Sequence, residues 1–384
     1  MKKLISRVSL SVLGAAALFM TITAFTTDDA AVDYTANFVN GSVDFESIGQ
    51  LSFGPQGILF FGDSRGANLF ALETKDITPA ADNKPLAVAD IEEKIAQQMG
   101  AKARDINIID MAINPISQNA YLSVIRGRGD DASYHLVSVS KDQSIEEVDL
   151  QNASYSQFAL GTAPAADAKD RRGRSLRTNT ITDIAFTDNS VYVAGLSNEE
   201  FASGFRQVQF PFNKRQESLT TLEIYHVAHE QYETHAPIRT FLPYNVNGKS
   251  NILAGYTCTP LVLFEVGDMK NGDHVKGKTV AELGFGNTPL DIITFKTRAG
   301  KDAIIIANSN RSAMLVDGAD VASQDGLTTP LEGTRIASGT PYTPMPLGGV
   351  QQLDNLNSDY FALLRRMGDG SMRLYSFPKS RIAL

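Results

Sequence analysis

The chain has 384 residues, 43 acidic against 35 basic side chains, a formal net charge of −8, no tryptophan and a single cysteine. One cysteine excludes an intramolecular disulfide and a Cys-x-x-Cys-His haem attachment, so stability must come from packing. An acidic, evenly mixed surface argues against nucleic acid or anionic lipid as partners.

Lys2, Lys3 and Arg7 precede an apolar run from residue 8 to residue 25. A charged segment followed by an apolar one is the pattern of a secretory signal, here spanning residues 1–27, and it predicts a periplasmic or extracellular protein. The alternative is an uncleaved anchor, because the run approaches the roughly 18 residues a membrane span needs, and only then is a membrane a partner. The absence of cysteine near residue 20 excludes a lipoprotein anchor. Removing the segment moves the formal charge to about −11, and the roughly 355 residues left exceed what one small core needs.

Past this leader the chain reads as short runs rich in Val, Ile, Phe, Tyr and Leu, separated by Gly, Asn, Asp and Pro, which is strand patterning. An extended run at 34–39 comes first. A three-strand phrase then begins at 50–53, 57–61 and 68–72. An insertion at about 76–104 follows, with a helix predicted over 90–99: Asp90 is its N-cap, Glu93 lies three residues on, and Gly100 stops it. The phrase returns at 110–113, 120–125 and 134–139 with a fourth strand at 145–150, and a second insertion, Ala-rich and then basic, covers 161–180. Further copies start at 183–186, 191–196 and 219–227, and at 240–243, 251–256 and 261–266 with a fourth strand at 279–283. The last two start at 291–294, 303–307 and 313–316, and at 350–353, 360–364 and 372–377.

Six repeats of antiparallel strands in one domain, 33–384, predict an all-β propeller, in which radial repetition leaves only short strand edges. The last repeat lacks a fourth strand, and the run at 34–39 is the expected supplier that closes the ring. A seventh, degenerate blade is the alternative, and an array of β-sandwiches, which would not close, is the other. With phrases such as Gly62-Asp63-Ser64-Arg65-Gly66-Ala67-Asn68-Leu69-Phe70 the chain resembles the secreted bacterial β-propellers, a superfamily with lactonase-like and quinoprotein-dehydrogenase-like members. The resemblance rests on blade rhythm and implies a fold; it carries over no catalytic residue.

In a propeller the loops joining second to third strands share a face with the loops entering the first strands. The former hold Asp63-Ser64-Arg65, Arg126-Gly127-Arg128, Asn198-Glu199-Glu200, Cys258-Thr259, Asn308-Ser309-Asn310-Arg311 and Arg365-Arg366; the latter include Arg104-Asp105, Asn179 and Asn287. Arginine forks suit carboxylates and phosphates. Asp63, Arg65, Arg126, Asn198, Asn308, Arg311 and Arg365 are therefore the candidate ligand-binding residues, and an anionic small molecule, a glycan or an envelope protein is the expected partner. Pairing with nearby carboxylates across blades is the alternative role of these arginines.

Oxygens from Asp63, Asn179, Asn198, Asn287 and Asn308 near the axis would suit a divalent cation such as calcium, and a lactonase-like or esterase-like hydrolase would use it as a Lewis acid. His226, His229 and Cys258 form a second metal candidate set. A straight strand sends His226 and His229 to opposite faces, and only a turn after Val227 would reunite them. No Gly-x-Ser-x-Gly elbow, P-loop or dinucleotide fingerprint occurs. Three functions stay open: a binding or scaffold propeller, a hydrolase with a central cation, and a noncatalytic subunit of a periplasmic redox complex.

Overall fold

A computed structural model describes residues 32–212, 217–257, 260–284, 286–329 and 337–384. Residues 1–31, which include the segment read as a leader, and Cys258 lie outside the described residues. Residues Tyr34–Leu384 form one compact unit, and its strands sort into six sheets that are antiparallel except where Ser218–His226 also pairs in parallel with His274–Lys276.

Each sheet has an innermost strand that matches a predicted first strand. Blade 1 runs Leu51–Phe53, Ile58–Asp63, Asn68–Glu73, and blade 2 runs Ile106–Ile113, Ala120–Arg126, Ser133–Val139, Ile145–Glu147. Blade 3 is Asp183–Thr187, Ser190–Leu196, Ser203–Gln209, Ser218–His226; blade 4 is Ile238–Val246, Lys249–Tyr256, Pro260–Glu265, Lys278–Glu282. Blade 5 comprises Pro289–Lys296, Asp302–Asn308, Met314–Asp317 and Thr343–Pro344, and the first three strands of blade 6 are Val350–Asn355, Tyr360–Arg366 and Met372–Pro378. The third strand of blade 3 is Ser203–Gln209 and not 219–227, which is the fourth. A buried arginine, Arg206, interrupts its apolar pattern.

The innermost strands neighbour one another in the order 2, 1, 3, 4, 5, 6 and back to 2. The core has the same organisation: six apolar clusters among the described residues, each filling one interface between neighbouring blades. Phe60 and Ile184 fill the interface of blades 1 and 3, and Leu122 and Leu364 that of blades 2 and 6. The ring is closed, which removes the sandwich array, and no seventh blade occurs among the described residues.

A strand from the N-terminal part of the chain does complete blade 6, but it is Ala87–Val88, paired with Leu374 and Tyr375. The expected run is used elsewhere: Val39–Gly41 pairs with Ala153–Ala159, which is itself the outer strand of blade 1. Blade 2 is thus inserted between the third and fourth strands of blade 1. The segment read as a plain insertion at 76–104 carries the closing strand and then helix α1, Ile91–Gln98. Asp90 precedes α1 in the left-handed region at φ 52° and makes no side-chain cap, because a capping side chain needs extended backbone to reach the first turn. A second helix, α2, covers Gly318–Ser323 and is capped by Asp317.

Candidate functional site

On or beside each of the six innermost strands one equivalent position lines the axis. Going round the ring it holds Asp110, Gln50, Asp183, Thr240, Asp291 and Gln352, so a carboxyl group alternates with a neutral polar side chain. These six, with Arg239, line an axial cavity of about 290 Å³.

Each carboxylate stitches its blade to the next. Asp110 Oδ2 accepts the Leu51 N–H at 2.7 Å, Asp183 Oδ2 that of Phe241 at 2.6 Å, and Asp291 Oδ2 that of Leu353 at 2.6 Å. Two residues beyond Gln352 on the same strand, Asp354 does the same to Ile113, at 2.7 Å. The second oxygens of Asp183, Asp291 and Asp354 accept the N–H of the following residue. Confinement away from bulk water pushes Asp183 up to about 7 and Asp354 up to about 6. Asp110 and Asp291 are held well above the ordinary carboxyl value by the same desolvation, reinforced by neighbouring carboxylates.

From the axis a groove leads outward at the same end. Gln50, Ile109, Thr182 and Arg239 border both the axial cavity and a smaller one of about 200 Å³. Arg65, Ile125 and Tyr134 border that one and a rim cleft of about 650 Å³. The cleft lies where blades 1, 2 and 6 meet α1, and Arg65, Arg104, Arg128 and Arg366 line it against two carboxylates, Glu92 and Asp105.

These arginines are held differently. Arg366 is locked to Glu92 of α1 by two bonds of 2.5 and 2.7 Å. Arg104 lies 4.0 Å from Asp105 on the surface. Arg128 donates to the Arg104 carbonyl at 2.9 Å, and the Arg65 guanidinium sits 5.7 Å from the centre of the Tyr134 ring, a cation–π placement that orients it at little entropic cost. Neither Arg65 nor Arg128 has a carboxylate partner among the described residues.

Of the residues singled out by sequence, Arg65 lines the cleft and the others are placed elsewhere. Asp63 is buried and accepts Ser47 Oγ at 2.6 Å and the N–H groups of Glu46 and Gly66 at 2.9 Å, which fixes the turn that carries Arg65. Arg126 ends its strand, exposed, and does not line the cleft. Arg311 lies exposed over Gly284. Arg365 donates to the Gly348 carbonyl at 2.7 Å and to the Tyr375 hydroxyl at 3.1 Å. Asn287 and Asn308 bond each other at 2.7 Å inside blade 5, Asn198 is exposed, and Asn179 accepts from Arg239 at 3.3 Å beside the groove. None of Asp63, Asn198, Asn287 and Asn308 lines the axial cavity.

Arg104 and Arg128 stand in the loops that the sequence picks out, but nothing in the sequence separates them from Arg126. Gly127, at φ 89°, reverses the chain after Arg126, and that turn brings Arg128 and not Arg126 to the cleft. The axial carboxylates did leave a signal: Asp110-Met111, Asp183-Ile184 and Asp291-Ile292 each put an acid ahead of an apolar residue at one register.

No family model matches the chain, and no curated protein matches it significantly. Among solved structures it is similar to the PQQ-bound aldose sugar dehydrogenase of Streptomyces coelicolor, at 12% identity and a TM-score of 0.36 over 88% of this chain and 96% of that one. A Thermus thermophilus protein described as a putative oxidoreductase (glucose dehydrogenase) gives 10% identity and 0.29 over 88% and 98%, and another glucose dehydrogenase 12% and 0.33 over 88% and 99%. Likeness of this degree assigns neither cofactor nor substrate to this chain.

Proposed function

We propose that this propeller is an exported binding protein whose rim cleft takes a small molecule bearing a carboxylate or phosphate. One observation carries the reading: Arg65 and Arg128 line a cleft of about 650 Å³ and neither is ion-paired among the described residues, because the two carboxylates of the cleft, Glu92 and Asp105, lie against Arg366 and Arg104. A cavity of that volume falls within the range of small-molecule sites. An arginine fork that is not ion-paired offers a bidentate, charge-assisted bond to an incoming anion. The Arg366–Glu92 pair serves as a wall, since its charge is already neutralised. Tyr134 and Ile125 add the apolar surface that a sugar ring or short chain would cover.

The axial cavity supports a metal-dependent hydrolase less well. Its carboxyl groups accept backbone N–H groups and are held toward the protonated form, which is the wrong state for binding a hard cation. Export rests on the basic and apolar leader and is tested by fractionating the native host, where a shortened chain in the periplasm or medium is expected.

Calorimetric titration with sugar phosphates and uronates, against their neutral parent sugars, tests the ligand class. The anions bind, added salt weakens them, and Arg65→Ala and Arg128→Ala each cost tenfold or more, in line with about 1.5–3 kcal/mol for a hydrogen bond to a charged group. Equal binding of the neutral sugars, or affinity indifferent to both substitutions, would remove the proposal.

A further inference from the structure

His226 ends the fourth strand of blade 3, and a 3-10 turn, Val227–His229, follows it. Glu230 leaves that turn in the left-handed region at φ 55°, and the chain folds back as Gln231–Glu233, paired with Ile224–His226. The turn supplies the reversal that a straight strand lacks. It brings the two imidazoles to one side with their centres 3.9 Å apart.

Between them stands one carboxylate. Glu233 Oε2 lies 3.1 Å from His226 Nδ1, and Oε1 lies 2.5 Å from His229 Nδ1. One ligand atom from each of the three residues falls within 4.8 Å of the others. A second carboxylate stands behind the buried imidazole: Glu282 of blade 4 accepts the Val227 N–H at 3.0 Å, and its Oε1 lies 4.0 Å from His226 Nε2, within electrostatic reach. A carboxylate on the far nitrogen of an imidazole is how metal-ligating histidines are commonly oriented. His226 is buried, whereas His229 is 42% exposed, so the set opens to solvent.

We propose that His226, His229 and Glu233 bind a borderline divalent transition cation, zinc foremost, in place of the protons that the three side chains now share. Two imidazoles and one carboxylate are a nitrogen and oxygen set suited to zinc, and three protein ligands leave one tetrahedral position for water. All three ligands come from eight consecutive residues of one hairpin, so the site is built before any metal arrives. It lies outside the arginine cleft and does not depend on the function proposed for it.

The test uses the full, untagged chain, stripped of metal and titrated with zinc against a chromophoric chelator. One equivalent is expected to bind, with proton release. His229→Ala and Glu233→Gln each weaken binding ten- to a hundredfold or more while the far-ultraviolet circular dichroism stays that of the parent, because both side chains lie toward the surface. His235→Ala and His274→Ala leave the affinity unchanged. Cobalt(II) in the site gives weak ligand-field bands only. No stoichiometric binding, zinc affinity untouched by His229→Ala and Glu233→Gln, or an intense thiolate-to-cobalt band would overturn the assignment.

Discussion

Along the axis Asp110, Asp183 and Asp291 gather carboxyl groups that the fold itself uses: they stitch one blade to the next and are held toward the protonated, neutral form. At the rim Arg65 and Arg128 gather positive charge that no carboxylate among the described residues consumes. The difference separates two uses of ionisable groups in one propeller. An ionisable group whose partners are the backbone holds the ring together, and a charge that faces a cavity without an ion-pair partner is the one the proposed ligand site would use.

Arg206 shows the first use applied to a guanidinium, and it sets the largest effect. It is fully buried in blade 3 and donates to the carbonyls of Thr162, Thr180 and Leu196, with Glu217 at 3.8 Å. Arg206→Met strands those acceptors and a buried carboxylate, and should cost about 3–5 kcal/mol in denaturant unfolding followed by circular dichroism. Asp110→Ala orphans the Leu51 N–H between blades 1 and 2 and should cost about 2–3 kcal/mol in the same measurement.

The pH dependence of melting is the next test of the axial group. The carboxyl groups of Asp183 and Asp354 rise on folding from 3.8 to about 7 and about 6. Below about pH 4 both the folded and unfolded chains hold these protons, so the contribution to stability is intact there. Raising the pH ionises the unfolded chain first and favours it, and the contribution is lost progressively as pH climbs through 6 and 7. Melting temperature should therefore fall from pH 5 to pH 8, and Asp183→Asn should flatten that slope. At the rim the expected effect on stability is the smallest: Arg65→Ala and Arg128→Ala should stay within about 0.5 kcal/mol of the parent while each weakens anion binding tenfold or more. A stability loss comparable to that of Asp110→Ala would erase the distinction between the two regions.

The ring was legible because each innermost strand repeats one apolar phrase at a readable spacing, and second strands such as Ile58–Asp63 and Asp302–Asn308 are buried almost throughout. What escaped was non-local or locally atypical. Ala87–Val88 is two residues long and carries no pattern; it is a strand only because Leu374 and Tyr375 lie beside it. Ser203–Gln209 hides its strand character behind Arg206, whose needs are met by distant carbonyls. The meeting of His226 and His229 hinges on one 3-10 turn, and the choice of Arg128 over Arg126 on one glycine, Gly127. Periodicity reports the side of a strand and is silent on where a chain leaves it.

The interleaving of blades 1, 2 and 6 bears on how the molecule is made. Arg366 and Glu92, 274 positions apart, meet to wall the cleft, and Ala87–Val88 waits for Met372–Pro378 before it has a partner. Pairings this remote in sequence form slowly, since a long loop must close before they yield anything. A chain halted before its last blade would thus present α1 without its arginine and a cleft without its wall. The anion affinity proposed for the cleft should therefore appear only once Arg366 and Met372–Pro378 are in place, at the seam between the first-made and last-made parts of the chain.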